Sequence, residues 1–148
     1  LAQMVAEAAR LDAGMIAVED VPRDQTHRYG IVSVDAADGR SARIRALVEK
    51  PQPAQAPSTL AVVGRYVLPA RVFEFLHSLP PGSGGEIQLT DAIDAVLGVA
   101  PVYAYRFVGE RFDCGNKLGV VEATMAFALE QPDIAAAVRA RMQRLLDG

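Results

Sequence analysis

Apolar positions change their period several times along this chain, and each change marks an element. Leu1, Met4, Val5, Ala8 and Leu11 recur at helical spacing, with Glu7, Arg10 and Asp12 on other faces. This predicts an amphipathic helix that stops near Ala13-Gly14. Met15 to Val18 is an unbroken apolar run and reads as a buried strand, followed by Glu19-Asp20 and Pro22. After a polar loop from Arg23 to Arg28, Ile31 to Val34 and Ile44 to Val48 form two strands. Asp38-Gly39 between them is a hairpin signature. Gln52 to Pro57 is rich in Pro and Ala and reads as an irregular loop. Ser58 to Leu68 is a longer strand interrupted by Gly64, the mark of a bulge or a close backbone approach. Pro69 opens a helix with a core face of Val72, Phe73, Phe75 and Leu76. Leu89, Ile93, Val96 and Leu97 define another, with Thr90 as its cap and Asp91 and Asp94 in its first turn. Val102 to Val108 alternates as a strand. Asn116 caps a helix bearing Leu118, Val121, Met125 and Leu129, and Pro132 separates it from a last helix with Ile134, Val138, Met142 and Leu145 on one stripe.

The order is helix, three or four strands, two helices, a strand and two helices, a mixed α/β pattern. At 148 residues the chain is one domain or part of a larger one. Its 51% apolar content supports a packed core and excludes a disordered class. A formal net charge of −3 leaves no basic footprint for nucleic acid. No apolar run approaches the ~20 residues of a membrane helix, and no secretory signal is visible. The single Cys114 has no internal disulfide partner, which suits a reducing cytoplasm. We expect Cys114 to be a small buried filler, and Met125 and Phe73 to be core. The chain opens at Leu1 inside a helical pattern, which we read as a fragment whose earlier part is missing.

Candidate chemistry gathers at three places. Arg45 to Val48 leads into Glu49-Lys50-Pro51, where an apolar strand ends in an acid, a base and a proline. Pro51 pushes Lys50 towards extended or turn geometry. In open α/β sheets ligands sit just beyond the carboxyl ends of strands. There Glu49 would accept hydrogen bonds from hydroxyls, and Lys50 would meet a phosphate as a compact charge. The plainer reading is a solvated ion pair closing a surface strand. Gly82-Ser83-Gly84-Gly85 is glycine-rich but lacks the Lys-Ser/Thr of a Walker loop. Glu86 and Gln88 directly after it make a sugar-hydroxyl reader, against the alternative of a flexible turn before a helix. In Asp113-Cys114-Gly115-Asn116-Lys117, Asp113 offers a hard oxygen to a divalent cation, against the alternative of an ordinary capped strand-to-helix turn. His27 and His77 have no partner at the spacing of a triad or a zinc site.

Five blocks then line up in order: Tyr29-Gly30-Ile31-Val32, Val48-Glu49-Lys50-Pro51, Leu60 to Leu68, Gly84-Gly85-Glu86-Ile87-Gln88-Leu89-Thr90-Asp91-Ala92-Ile93 and Asp113-Cys114-Gly115-Asn116-Lys117. In these blocks the chain resembles the C-terminal half of the bacterial UTP–glucose-1-phosphate uridylyltransferases, over nearly its whole length. The resemblance implies a partial Rossmann-like sugar nucleotidyltransferase fold, a mixed sheet flanked by helices, without the N-terminal nucleotide-binding half. It implies a cytoplasmic enzyme that joins UTP and glucose 1-phosphate into UDP-glucose and pyrophosphate with Mg2+. Residue by residue, it implies that Gly30 offers its backbone to the sugar, that Glu49 binds glucose hydroxyls and that Lys50 binds the sugar phosphate. Gly64 would line the sugar pocket, Glu86 and Gln88 would sit near it, and Asp113 would face metal and phosphates. The last two helices would pack against a neighbouring subunit of a homo-oligomer. The glycine-rich nucleotide loop of that family is not among these residues, so the fragment alone is expected to lack turnover. The alternatives are a non-catalytic carbohydrate-binding or assembly module on the same scaffold, or a related nucleotidyltransferase with another sugar or base.

Overall fold

The computed structural model describes residues 1–36, 39–82 and 85–148. In chain order it has α1 (Ala2–Leu11), β1 (Gly14–Asp20), a 3-10 turn (Arg23–Arg28), β2 (Gly30–Val34), β3 (Ser41–Glu49) and β4 (Leu60–Val67). There follow α2 (Val72–Ser78), α3 (Leu89–Leu97), β5 (Val102–Arg106), α4 (Lys117–Glu130) and α5 (Ala135–Asp147). Leu1–Phe107 and Val108–Gly148 are two compact units.

In the first unit the strands pair in the order β1-β4-β2-β3-β5, and β5 returns to β1, closing the ring. The sheet is mixed: β1 and β5 are parallel and the other pairs antiparallel. The hydrophobic pattern predicted a mixed α/β order and the resemblance implied a mixed sheet, but neither foresaw its closure, which depends on Ser41 to Arg43 pairing with Tyr105 to Tyr103. Because strand side chains alternate, β1 feeds two cores. Ile16 and Val18 join Val32, Ile44, Leu47, Leu60, Val62, Val102 and Ala104 under α2 and α3, which add Val72, Ile93 and Val96. Met15 and Ala17 face the other way, against Met4 and Ala8 of α1 and Tyr105. Burial on both faces is why the sequence of β1 shows a run rather than an alternation.

Several boundaries differ from the pattern. α1 ends at Leu11 because Asp12 adopts the left-handed conformation (φ 47°), two residues before the expected glycine stop at Gly14. α2 begins at Val72, since Pro69 and Ala70 use their carbonyls in tight turns to Val72 and Phe73. Phe73 was expected in the core but is exposed: helical spacing from buried Val72 carries it to the solvent side. Pro132 is followed by a turn, and α5 starts at Ala135. Met125, Ile134 and Leu145 also have exposed side chains. Cys114 is exposed, not a buried filler, because it lies in the turn before α4 rather than in an element with a core face. Asp38 of the expected hairpin turn lies outside the described residues, though its strands β2 and β3 pair antiparallel as that turn requires.

In the second unit α4 and α5 pack on one another. Asn116 caps α4 as expected, its Oδ1 accepting from Gly119 N–H at 2.9 Å. Phe112 meets Phe127 edge to face, with ring centroids 6.0 Å apart.

Candidate functional site

The geometry at the tip of β3 begins with a bulge. Ser33 pairs with Ala46 and Val34 with Ile44, so Arg45 has no opposite residue. The extra residue shifts the alternation by one. Ala42 and Ile44 point into the core before the bulge, and Leu47 does after it. Glu49, two residues beyond Leu47, therefore lies on the inward face instead of facing solvent. Arg45 itself turns outward and holds Asp35 through two hydrogen bonds of 2.7 and 2.6 Å, which keeps that carboxyl below its ordinary range.

Glu49 pairs with Gly30 across the ladder, and its carboxylate lies over the glycine. A Cβ on Gly30 would stand 3.2 Å from Glu49 Oε2, 3.3 Å from Thr90 Cγ2 and 3.6 Å from Leu47 Cδ1. Glycine is what lets these three side chains converge. α3 reaches this point because Ala92, Ile93 and Val96 are fully buried and Asp94 Oδ1 accepts the Leu47 N–H at 3.3 Å. Tyr66 of β4 completes the cluster. Burial, and next the nearby Glu49 charge, raise its phenol pKa, so the hydroxyl remains a proton donor at neutral pH.

Lys50 continues the ladder one step beyond the strand, its N–H donating to Tyr29 O at 3.0 Å. Its φ is 45°, in the left-handed region, so of the extended or turn geometry expected before proline it takes the turn form. Its Nζ lies 3.6 Å from Glu49 Oε1, with side chains 63% and 30% exposed. A pair this open to water is worth about 0–1 kcal/mol, so it contributes little to holding the fold, and both charges remain available to a ligand.

The remaining expected residues are less concentrated. Gly64 has φ 72° with open space where a Cβ would be. It forms the expected bulge, since β1 advances from Ile16 to Val18 while β4 spans Tyr66 to Val62. Gln88 is the N-cap residue of α3, while Glu86 is exposed just before it. Gly82 and Glu86 close the preceding turn through a 2.9 Å hydrogen bond. Ser83 and Gly84 of the glycine run lie outside the described residues. Asp113 belongs to the second unit. Its Oδ1 accepts Gly115 N–H at 3.1 Å, and its carbonyl accepts Asn116 Nδ2 at 3.0 Å. A Cβ at Gly119 would run into that carbonyl. Among the described residues no three His, Cys, Asp or Glu side chains gather as a metal cage. One carboxylate such as that of Asp113 still fits Mg2+, which is commonly held by one or two carboxylates plus substrate phosphates and water.

Two members of the cluster escaped the sequence reading. Thr90 was expected as the cap of α3, but it occupies the second helical position, and its hydroxyl is buried without a hydrogen-bond partner. The signal was its spacing from Ile93 and Asp94, which puts all three on the face turned to β3. Tyr66 was indistinguishable from other strand aromatics, because only the bulges decide that β3 brings Glu49 near it.

Fold and site together define a member of the nucleotidyltransferase class of α/β proteins. The chain belongs to the nucleotidyl transferase family, which it matches over residues 1–138. It is 44% identical over 131 residues to the UTP–glucose-1-phosphate uridylyltransferase of Staphylococcus epidermidis, covering 88% of this chain and 46% of that protein. The UTP-bound UGPase structure from Acinetobacter baumannii superposes with a TM-score of 0.83 at 39% identity, covering 97% of this chain and 49% of the other. A UDP-glucose pyrophosphorylase complexed with UDP-glucose gives 0.80 at 35% identity, covering 87% and 49%. The chain thus spans about half the length of the curated relatives it matches.

Proposed function

We propose that this chain is the sugar-phosphate half of a UTP–glucose-1-phosphate uridylyltransferase. The observation that carries the reading is the placement of Glu49 and Lys50 at the tip of β3. The acid is turned inward over Gly30, and the base lies 3.6 Å from it. Glu49 accepts from glucose hydroxyls, and Gly30 leaves room for the ring. Lys50 holds the phosphate. Gly64 lines the pocket at its bulge, and Glu86 and Gln88 stand near the sugar. In the reaction a phosphate oxygen of glucose 1-phosphate attacks the α-phosphorus of UTP. The bond from that phosphorus to the bridging oxygen breaks, and pyrophosphate leaves with the electron pair. The attacking phosphate is already anionic, so the site needs positioning and charge neutralisation rather than a general base. Mg2+ would supply further neutralisation, with Asp113 as one oxygen ligand.

Supporting this reading are the uridylyltransferase names of the relatives and the family membership. UTP binding and turnover are assigned to the other half of the enzyme, so this chain alone binds without catalysing. No helix among the described residues is long and apolar enough to cross a membrane, and the reaction proposed belongs in the cytoplasm. Exposed Leu118, Val121 and Phe127 of α4 and Leu145 and Leu146 of α5 support contact with a second copy. The test is calorimetric titration with glucose 1-phosphate, with and without Mg2+. Lys50→Ala removes a charge-assisted hydrogen bond of about 1.5–3 kcal/mol, roughly a 10- to 150-fold weaker affinity. Unchanged affinity in that variant would remove Lys50 from the site. Affinity for glucose equal to that for glucose 1-phosphate would leave a plain carbohydrate-binding module.

A further inference from the structure

Arg23 lies 27 residues before Lys50 in a polar turn that the sequence leaves without a role. In the fold its Nη1 donates to two carbonyls of the loop that follows Lys50: Pro53 O at 3.1 Å and Ala56 O at 3.1 Å. The backbone of Arg23 is itself anchored. Thr26 is fully buried, and its hydroxyl donates to Arg23 O at 2.8 Å. The same segment grips the loop at both ends. Tyr29 O accepts Lys50 N–H at 3.0 Å, and Val21 N–H donates to Thr59 O at 3.0 Å. Pro51 and Ala56 are buried under these ties, while Lys50 between β3 and the loop keeps its left-handed φ of 45°.

A lysine seldom holds that conformation unless its surroundings impose it. The backbone there decides which way the ammonium leaves the strand. We infer that Arg23 is a positioning residue for Lys50. By fastening the 51–57 loop, it fixes the direction in which the ammonium meets the phosphate of a sugar phosphate. The inference rests on the site reading above, and its test separates the two.

Amide hydrogen exchange by NMR, with no ligand present, reads the strap directly. In Arg23→Ala the Lys50 amide exchanges at least tenfold faster while β1 amides keep their protection. Arg139→Ala, on exposed α5, leaves the Lys50 amide unchanged. Calorimetry with glucose 1-phosphate and with glucose reads the consequence. Arg23→Ala loses the phosphate-dependent part of the affinity, roughly the same 10- to 150-fold as Lys50→Ala, but not the affinity for glucose. Arg23→Lys, which still offers ammonium donors to the carbonyls, recovers part of it. In the double variant, Lys50→Ala costs nothing further, since a misplaced ammonium has nothing left to lose. Unchanged Lys50 exchange, or fully additive losses, overturns the role of Arg23. If the unsubstituted chain binds no glucose 1-phosphate, the site reading fails, and the exchange measurement still decides whether Arg23 orders Lys50.

Discussion

Thr90→Val should stabilise the first unit, an unusual outcome for a substitution beside a binding site. Thr90 is 9% exposed, and its Oγ1 has no hydrogen-bond partner, while its Cγ2 packs beside the backbone of Gly30. Valine keeps the branched shape and the methyl, and replaces only the hydroxyl. An unsatisfied buried polar group costs about 1–3 kcal/mol. Taking the lower half of that range, the gain is about 1–2 kcal/mol. For a unit of this size that corresponds to roughly 4–8 °C in Tm per kcal/mol. The assay is urea unfolding followed by tyrosine fluorescence. The chain has no Trp, and Tyr29, Tyr66, Tyr103 and Tyr105 all lie in Leu1–Phe107, so the signal reports that unit alone. Thr90→Ser is the control: it keeps the hydroxyl and loses the methyl, at a cost of about 1 kcal/mol for one buried methyl group. A lower urea midpoint for Thr90→Val than for the unsubstituted chain would refute the reasoning, because the hydroxyl would then have a partner in solution.

Two further substitutions probe the turn before α4 and the anchoring of α1. Gly119→Ala drives a methyl into the Asp113 carbonyl, so the first turn of α4 must open. We expect a loss above about 3 kcal/mol, at the severe end for single substitutions, read as lost helical circular dichroism. Unchanged helicity and stability would show that this turn is looser than described. Glu7 has its carboxyl lowered from 4.5 to about 2 by hydrogen bonds from Arg10, within α1, and then from Ser41, which ties α1 to β3. A lowered folded-state pKa means that the stabilisation is fully present above pH 4.5 and fades as the pH falls towards 2. The difference in unfolding midpoint between the unsubstituted chain and Glu7→Gln should shrink across that window, and a constant difference would exclude the carboxylate as its source.

Local chemistry in the sequence settled most of the elements and much of the site. Apolar period alone located the strands and helices, since a half-buried strand or helix must repeat its apolar residues with its own pitch. Asn116 declared its cap, and Gly64 its bulge. The acid and base before Pro51 declared a strand tip with chemistry to offer. Other features had no local signature. Nothing in Arg45 announces a bulge, yet the bulge turns Glu49 inward. Thr90 resembled a cap because Thr commonly is one, and only the start of α3 at Leu89 leaves its hydroxyl unpaired. Arg23 looked like one more polar loop residue until the chain returned with Pro53 and Ala56 beside it. Sequence determined which stretches would be strands and helices, because propensity and burial act over a few neighbouring residues. Tertiary structure alone decided which side chains meet, because register, bulges and the closure of the ring are set by contacts among residues far apart in the chain.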